Sequence, residues 1–168
     1  LRSECKDQQI VGLGLNNIVA IAMPDAVLIT KKTRVQDVKK VVEYLKSNKI
    51  KQAEFHPIAC RPWGYFESLA VDNCLQVKLI FVKPGAAISL QSHKYRSEHW
   101  IVVEGIAKVT IDNEIKLVNE GHSVYVPKGV IHRLENTSKA TLVLIEVQIG
   151  NYLGEDDIVR YQDLYKRK

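Results

Sequence analysis

Two histidines, a glutamine and a glutamate set the chemistry open to this sequence: Gln91 and His93 in "ISLQSHKY", Glu98 in the stretch that follows, and His132 in "GVIHRLEN". In an extended strand alternate side chains share a face, so Ser89, Gln91 and His93 point one way and Ile88 and Leu90 the other. A hairpin turn across Lys94 to Ser97 brings the chain back and sets Glu98 beside His93 as the next strand begins. Pro127 and Gly129 end a later strand and leave His132 on the one after it, facing the same interior if the strands close into a barrel. Two imidazoles, a carboxylate and an amide form a mixed nitrogen and oxygen donor set. Such a set suits one divalent first-row cation with positions left open. A lone strand histidine is more often packed or solvated than ligated, and it is the spacing of four donors that points to a metal.

Donors so far apart in sequence need a β framework to bring them together. From Gln76 to Gly150 eight short strand-like runs follow one another: "QVKLIFV", "AISLQSHKY", "HWIVVEG", "AKVTID", "EIKLV", "SVYVP", "IHRLEN" and "TLVLIEVQ". Gly85, Gly105, Gly121 and Gly129 mark several of their boundaries, no helical period fits, and the series predicts a small jelly roll. Upstream, Ile18 to Ala22 and Ala26 to Thr30 predict two short strands broken at Pro24-Asp25. "TRVQDVKKVVEYLKSN" then opens with a capping box, Thr33 to Gln36, and spaces Val35, Val38, Val42 and Leu45 along one helix face. "KSNKIKQAEFHPIACRPWG", with its charges, two prolines and a glycine, reads as a separator. The boundary expected near Asn48 divides a strand-and-helix region, 1–48, from a β region, 49–168. At the far end, "GEDDIVRYQDLYKRK" predicts a C-terminal helix: Ile158, Tyr161 and Tyr165 fall at helical spacing, and Glu155, Asp156 and Asp157 charge its start.

Composition narrows the function further. With 168 residues and 46% hydrophobic content the chain suffices for one ordinary domain and an appendage. No run approaches the roughly 18–20 apolar residues of a membrane span. The start "LRSECKDQQ" lacks a hydrophobic signal core, so a cytoplasmic chain without a membrane partner is expected. Cys5, Cys60 and Cys74 are odd in number, widely spaced and without a CxxC pair, which argues against a disulfide framework or a thiolate zinc site. The net charge of +5 suits a small anionic substrate. The basic stretches "KSNKIK" and "YKRK" lack aromatic interleaving or a readout motif, so no nucleic-acid partner is expected. A chain that starts at Leu1 and has its only methionine at Met23 suggests a fragment of a longer parent. A jelly roll with open strand edges also makes a homodimer reasonable.

The stretches "GAAISLQSHKYRSEHWIVVEG" and "GHSVYVPKGVIHRLEN" resemble the two motifs of the cupin family. Gly85, Gln91, His93, Glu98 and Gly105 match the first, with glutamine in place of the usual first histidine. Gly121, Pro127, Gly129, His132 and Asn136 match the second. More narrowly, "RPWGYFESL", "ISLQSHKYRSEHWIVVEGIAKV", "VYVPKGVIHRLEN" and "NYLGEDDIVRYQDLY" resemble type II phosphomannose isomerases, a domain usually fused behind a mannose-1-phosphate guanylyltransferase. The opening "NNIVAIAMPDAVLITKKTRVQDVKKVVEYLK" is similar to the left-handed β-helical end of that transferase, so the resemblance covers nearly the whole chain.

This resemblance implies a mainly β cupin, a double-stranded β-helix or jelly-roll barrel. It implies interconversion of mannose 6-phosphate and fructose 6-phosphate in GDP-mannose and polysaccharide biosynthesis. It also implies one divalent ion, zinc ahead of manganese, cobalt or iron. Arg96 is implied to be needed for isomerisation. Arginine stays protonated, so charge stabilisation or phosphate clamping is easier to defend for it than proton abstraction. Lys128 and Arg133 flank the second motif and are candidates for the substrate phosphate, and Tyr95, in phase with His93, for a substrate hydroxyl. His99 alternates away from the pocket, and Trp63 and Trp100 read as core anchors. The family often has a histidine or another basic residue where Lys94 and Tyr95 stand, and serine where Ile149 stands, differences that bear on substrate grip. "VGLGLNN" is no nucleotide loop, since no helix or basic residue follows it, and guanylyl transfer by this chain is not expected. Two other readings stay open: the carboxyl part of a bifunctional transferase and isomerase, and a non-catalytic cupin that binds metal or sugar phosphate.

Overall fold

Along Leu75–Val82 half-buried and buried side chains alternate without a break, as they must in a strand with one face in a core. This strand belongs to the second of two compact units, Leu1–Pro57 and Ile58–Lys168, whose division falls later than the expected Asn48. The computed structural model describes residues 1–3, 8–54 and 56–166, with the backbone alone at 51 and 54. Cys5 and the last two residues of "YKRK" lie outside the described residues.

In the first unit β1 (Arg2–Ser3) runs parallel to β2 (Ile18–Ala22), and β2 pairs antiparallel with β3 (Val27–Lys31). Both expected strands are present. The expected capping box is not formed. Thr33 lies within a 3-10 turn, Lys32–Asp37, and α1 (Val38–Ser47) begins only after it, without a side-chain cap. Local charge explains the difference, because Asp37 is engaged by Arg34 at 2.9 Å and Lys40 at 3.1 Å. The apolar stripe of α1 is not buried either: Val35 and Val42 are exposed, and Val38 and Leu45 half-buried. A short second helix, α2 (Lys51–Glu54), follows.

The second unit packs two sheets. One has the order β11-β8-β13-β6-β5-β4 and the other β10-β9-β12-β7-β14. All eight expected runs are strands: β6 (Leu75–Val82), β7 (Leu90–His93), β8 (Arg96–Glu104), β9 (Ile106–Ile111), β10 (Glu114–Asn119), β11 (Ser123–Val126), β12 (His132–Asn136) and β13 (Leu142–Gly150). Two more, β4 (Ile58–Arg61) and β5 (Gly64–Val71), form within what read as a separator. The core between the sheets includes Trp63, Phe66, Trp100, Val109, Leu134 and Leu144.

The C-terminal helix is corrected by the structure. Glu155–Asp157 form a single 3-10 turn, and Ile158–Gln162 is a strand, β14, which pairs antiparallel with β7. The physical reason is the edge of β7. Its backbone donors and acceptors would otherwise be unpaired, and the β-branched pair Ile158-Val159 fits an extended partner better than a helix start. Gly150 shapes the same region. A Cβ there would strike the Tyr95 carbonyl and come within 2.7 Å of Arg96 Cα, so glycine lets the end of β13 close on the start of β8. Cys60 and Cys74 are free and exposed. Among the described residues no helix is long and apolar enough to cross a membrane.

Candidate metal centre

Strand register brings the expected donors together. Gln91 on β7 sits opposite His132 on β12, so their side chains share the inner face of that sheet. His93 ends β7, a two-residue turn follows, and Glu98 rises from β8 on the facing sheet. His93 Nε2 lies 3.1 Å from Glu98 Oε1, and His132 Nε2 lies 3.7 Å from Glu98 Oε2. One ligand atom from each of these three residues lies within 4.8 Å of the others, and all three residues are buried.

Hydrogen bonds fix how each donor is presented. The His132 Nδ1 atom lies 2.9 Å from the Val130 carbonyl, which places its proton there and leaves the Nε2 lone pair facing the cluster. That Nε2 is buried and has no hydrogen-bond partner. Burial is the main cause holding the His132 imidazole below its ordinary pKa, against the pull of Glu98, and so keeps the ring neutral. For Glu98 burial acts to raise the pKa, but the His93 hydrogen bond and the positive surroundings, Arg96 among them, outweigh it and keep the group ionised. A neutral imidazole with an unmet lone pair beside a carboxylate is the state a divalent cation requires, so the residues fit such an ion. Trp100 Nε1 donates to Glu98 Oε2 at 3.0 Å, and Gln148 Nε2 donates to Oε1 at 2.9 Å, which locks the carboxylate in place.

Gln91 joins the cluster with its Nε2 3.3 Å from His93 Nε2, while Ser89 Oγ contacts its Oε1 at 2.7 Å. Rotating the amide end for end keeps the Ser89 contact, since a hydroxyl accepts as well as donates, and turns the oxygen toward the cluster. Arg96 falls outside the turn expected across Lys94 to Ser97 and is instead buried at the start of β8, on the same face as Glu98. Its Nη1 donates to the Gly154 carbonyl at 2.8 Å, and its Nε lies 3.5 Å from Glu98 Oε1.

Three expected substrate contacts lie elsewhere. Tyr95 sits in the turn, 45% exposed and edge-on to Tyr152. Lys128 is exposed in the turn between Pro127 and Gly129. Arg133 alternates out of phase with His132 and donates to the Gln162 side chain at 3.2 Å. None of them lines the cleft above the cluster. His99 is exposed against Tyr125, as alternation predicts.

Further charges line the cleft besides Arg96 and Glu98: Arg61, Lys78, Glu146 and Arg160, and Glu155, expected instead at a helix start. Buried Lys78 lies 3.6 Å from Glu146 and 3.4 Å from Glu155, with its ammonium 4.7 Å from the Phe66 ring centroid. Burial first, then the Glu98 charge, push the Glu146 carboxyl up to about 7, with Lys78 pulling the other way. The sequence carried a signal for Lys78 and Glu146. Lys78 shares strand parity with Ile80 and Val82, and Glu146 with Leu144 and Leu142, so each is a polar residue on a face otherwise apolar. Asp156 and its neighbours do not charge a helix: Asp156 accepts from the Tyr152 hydroxyl, Glu155 pairs with Arg61 and Lys78, and Asp157 is buried.

Comparison with known proteins identifies the family. The family model described as mannose-6-phosphate isomerase C-terminal matches residues 48–163, and that of a MannoseP isomerase/GMP-like beta-helix domain matches residues 4–45. The chain is 47% identical to the xanthan biosynthesis protein XanB of Xanthomonas campestris pv. campestris (strain B100), over 99% of this chain and 37% of that protein. It is 48% identical to the mannose-1-phosphate guanylyltransferase of Escherichia coli (strain K12), over 94% of this chain and 33% of that protein. The alginate biosynthesis protein AlgA of Pseudomonas fluorescens is 47% identical over 92% of this chain and 32% of that protein. The chain therefore spans about a third of the length of these curated relatives. Among solved structures, oxalate decarboxylase from Bacillus subtilis superposes with a TM-score of 0.55 at 24% identity, over 62% of this chain and 29% of that one. A double-stranded β-helix protein from Klebsiella pneumoniae gives 0.52 at 17% identity, over 58% and 78%. These two likenesses show the fold alone, a double-stranded β-helix.

Proposed function

The chain belongs to the mannose-6-phosphate isomerase C-terminal family, and from that premise we propose that it interconverts mannose 6-phosphate and fructose 6-phosphate. The reaction shifts a carbonyl between C1 and C2 and moves a proton between the same two carbons through an enediolate. The observation that carries the reading is the three-donor cluster of His93, Glu98 and His132 at a cleft that also buries the Arg96 guanidinium. His93, Glu98 and His132, with Gln91 as a fourth donor, would hold a divalent cation, zinc ahead of manganese, cobalt or iron. When bound, such a cation supplies Lewis-acid stabilisation of the charge that develops on the sugar's carbonyl and hydroxyl oxygens.

The remaining steps fall to the chain's own groups. Glu98 is committed to the cluster and held by Trp100 and Gln148, so it makes a poor mobile base. Glu146, on the neighbouring strand β13 of the same sheet and bonded to Trp100 Nε1 at 3.2 Å, is the carboxyl suited to take a proton from one carbon and return it to the next. Glu155 is less suited, because Lys78 and Arg61 together hold its carboxyl below the ordinary pKa, whereas burial raises that of Glu146. Arg96, always protonated and already fixed by Gly154, stabilises negative charge without having to reorganise. In this reading the chain is the carboxyl part of a larger protein that also carries a mannose-1-phosphate guanylyltransferase and serves polysaccharide biosynthesis, in keeping with the names of its relatives.

The test is to strip the purified chain with a chelator, reload it with zinc, manganese or cobalt, and follow fructose 6-phosphate formation from mannose 6-phosphate. Metal should restore turnover, and Arg96→Gln should abolish it while retaining the metal. Stoichiometric metal and tight sugar-phosphate binding without turnover would instead mark a binding module.

A further inference from the structure

The donors described above account for the carbonyl end of a sugar phosphate and leave its phosphate without a partner. We propose that Arg160 is the phosphate anchor of this cleft, an assignment that rests on the isomerase reading for the identity of the ligand.

Strand register places Arg160 correctly. β14 pairs with β7 so that Arg160 sits opposite Gln91, and β7 pairs with β12 so that Gln91 sits opposite His132. Residues directly opposed in antiparallel strands project from the same face of a sheet. His132, Gln91 and Arg160 therefore form one row across three strands, and two strand spacings separate its ends by about 10 Å. An extended sugar phosphate spans roughly 7–8 Å from C2 to phosphorus at bond lengths near ~1.5 Å. With both end side chains leaning into the cleft, a ligand of that length reaches from the metal ligands to the guanidinium.

Charge balance singles out the same residue. Lys78 is matched by Glu146 and Glu155, Arg61 by Glu155, and Arg96 by the Gly154 carbonyl and Glu98. Arg160 lines the same cleft yet, among the described residues, has no hydrogen-bond or ion-pair partner, and its Nε is fully buried. Buried donors with nothing to accept from them are costly to maintain. A phosphate monoester offers three acceptor oxygens and two negative charges, and the guanidinium fork meets such a group with paired, charge-assisted bonds. Arg133, two strands away on β12, also has a buried Nε without a partner, but it does not line the cleft and the Gln162 side chain accepts from its Nη2.

The experiment is calorimetric titration of the zinc-loaded chain with fructose 6-phosphate and, separately, with inorganic phosphate. Wild type, Arg160→Gln, Arg160→Lys and Arg133→Gln are compared, with zinc content measured for each. Arg160→Gln should weaken fructose 6-phosphate binding about 10- to 150-fold, the factor expected for hydrogen bonds to a charged group, with zinc content unchanged. Arg160→Lys should recover part of the loss, which also guards against a folding artefact, and Arg133→Gln should bind as wild type does. Binding of fructose 6-phosphate by Arg160→Gln within twofold of wild type overturns the assignment. Inorganic phosphate binding as tightly as the sugar phosphate would overturn the choice of ligand. The two proposals fail separately. Arg160-dependent binding without turnover sinks the isomerase and keeps the anchor, whereas full turnover by Arg160→Gln sinks the anchor and keeps the isomerase.

Discussion

Asp157→Ala removes the carboxylate that holds the metal ligands' hairpin in shape. Asp157 is buried, and its two oxygens accept the backbone N–H of Lys94 at 3.1 Å and of Tyr95 at 3.2 Å. Those two residues are the whole connection between β7, which ends at His93, and β8, which carries Glu98. Asp157 Oδ2 also lies 3.9 Å from Arg96 Nη1. Each hydrogen bond to an ionised acceptor contributes about 1.5–3 kcal/mol. Tyr95 is 45% exposed, so water recovers part of that loss, while Arg96 is left with less compensating charge. A net cost of about 2–3 kcal/mol follows for Asp157→Ala, and about 1 kcal/mol for Asp157→Asn, which keeps one acceptor. Urea unfolding of the metal-free chain, followed through Trp63 and Trp100, both in the second unit, measures this directly. Zinc affinity should fall about 10-fold or more as His93 and Glu98 lose their mutual spacing. An Asp157→Ala chain within ~0.5 kcal/mol of wild type, the scatter of an ordinary surface substitution, and with unaltered zinc affinity would refute the clamp.

Asn136 bridges strands at the other end of the fold: its Nδ2 reaches the carbonyls of Val82, Lys83 and Ala140, and its Oδ1 accepts from the Ser138 backbone. Asn136→Ala should cost about 3–5 kcal/mol and Asn136→Asp more, because a carboxylate would face three carbonyls; a loss under ~1 kcal/mol in urea titration would contradict this. Burial acts to raise the Glu155 pKa, but Lys78 and Arg61 outweigh it and hold the group below its ordinary 4.5. A carboxyl depressed in the folded state stabilises it fully above the unfolded value and loses that contribution as pH falls through the folded value. The stability difference between wild type and Glu155→Gln should thus be largest at neutral pH and shrink in the acid limb, and a difference independent of pH would count against the pairing.

What the sequence reveals depends on how local each cause is. Gln91, His93 and Glu98 lie within one strand, turn and strand, so alternation alone sets them on a common side, and Pro127 with Gly129 dates the strand that carries His132. Lys78 and Glu146 were open to the same parity argument, but their partnership arises from the pairing of β6 with β13, which no local pattern announces. β4 and β5 hid behind prolines. Pro57 precedes β4, and Pro62 lies in the turn after it, so neither removes a ladder donor, yet both read as breakers. Ile158, Tyr161 and Tyr165 satisfy a helical period, while the β-branched pair Ile158-Val159 allows a strand. The open edge of β7 decides between them, and that edge exists only once the sheet has formed.

The register also explains how a fold with so many buried charges stays stable. Across the larger sheet Glu98 stands beside Gln148 and Gln76; in the next row Trp100 stands beside Glu146 and Lys78. Further along, Val102 meets Leu144, Ile80 and Phe66, and beyond them Leu142 meets Val82. Each inward face therefore grades from charged to apolar along its strand, and the rows keep step from β8 to β5. β12 follows the same gradient from His132 to Leu134. Burying a charge is tolerable where its partner lies in the same row, as Glu146 and Lys78 do, and the dispersive core at the opposite end offsets what pairing does not. A shift of one residue in the β13 register would set apolar groups against the metal ligands and turn Glu146 to solvent, so the hydrophobic half of the container fixes the alignment on which the chemical half depends.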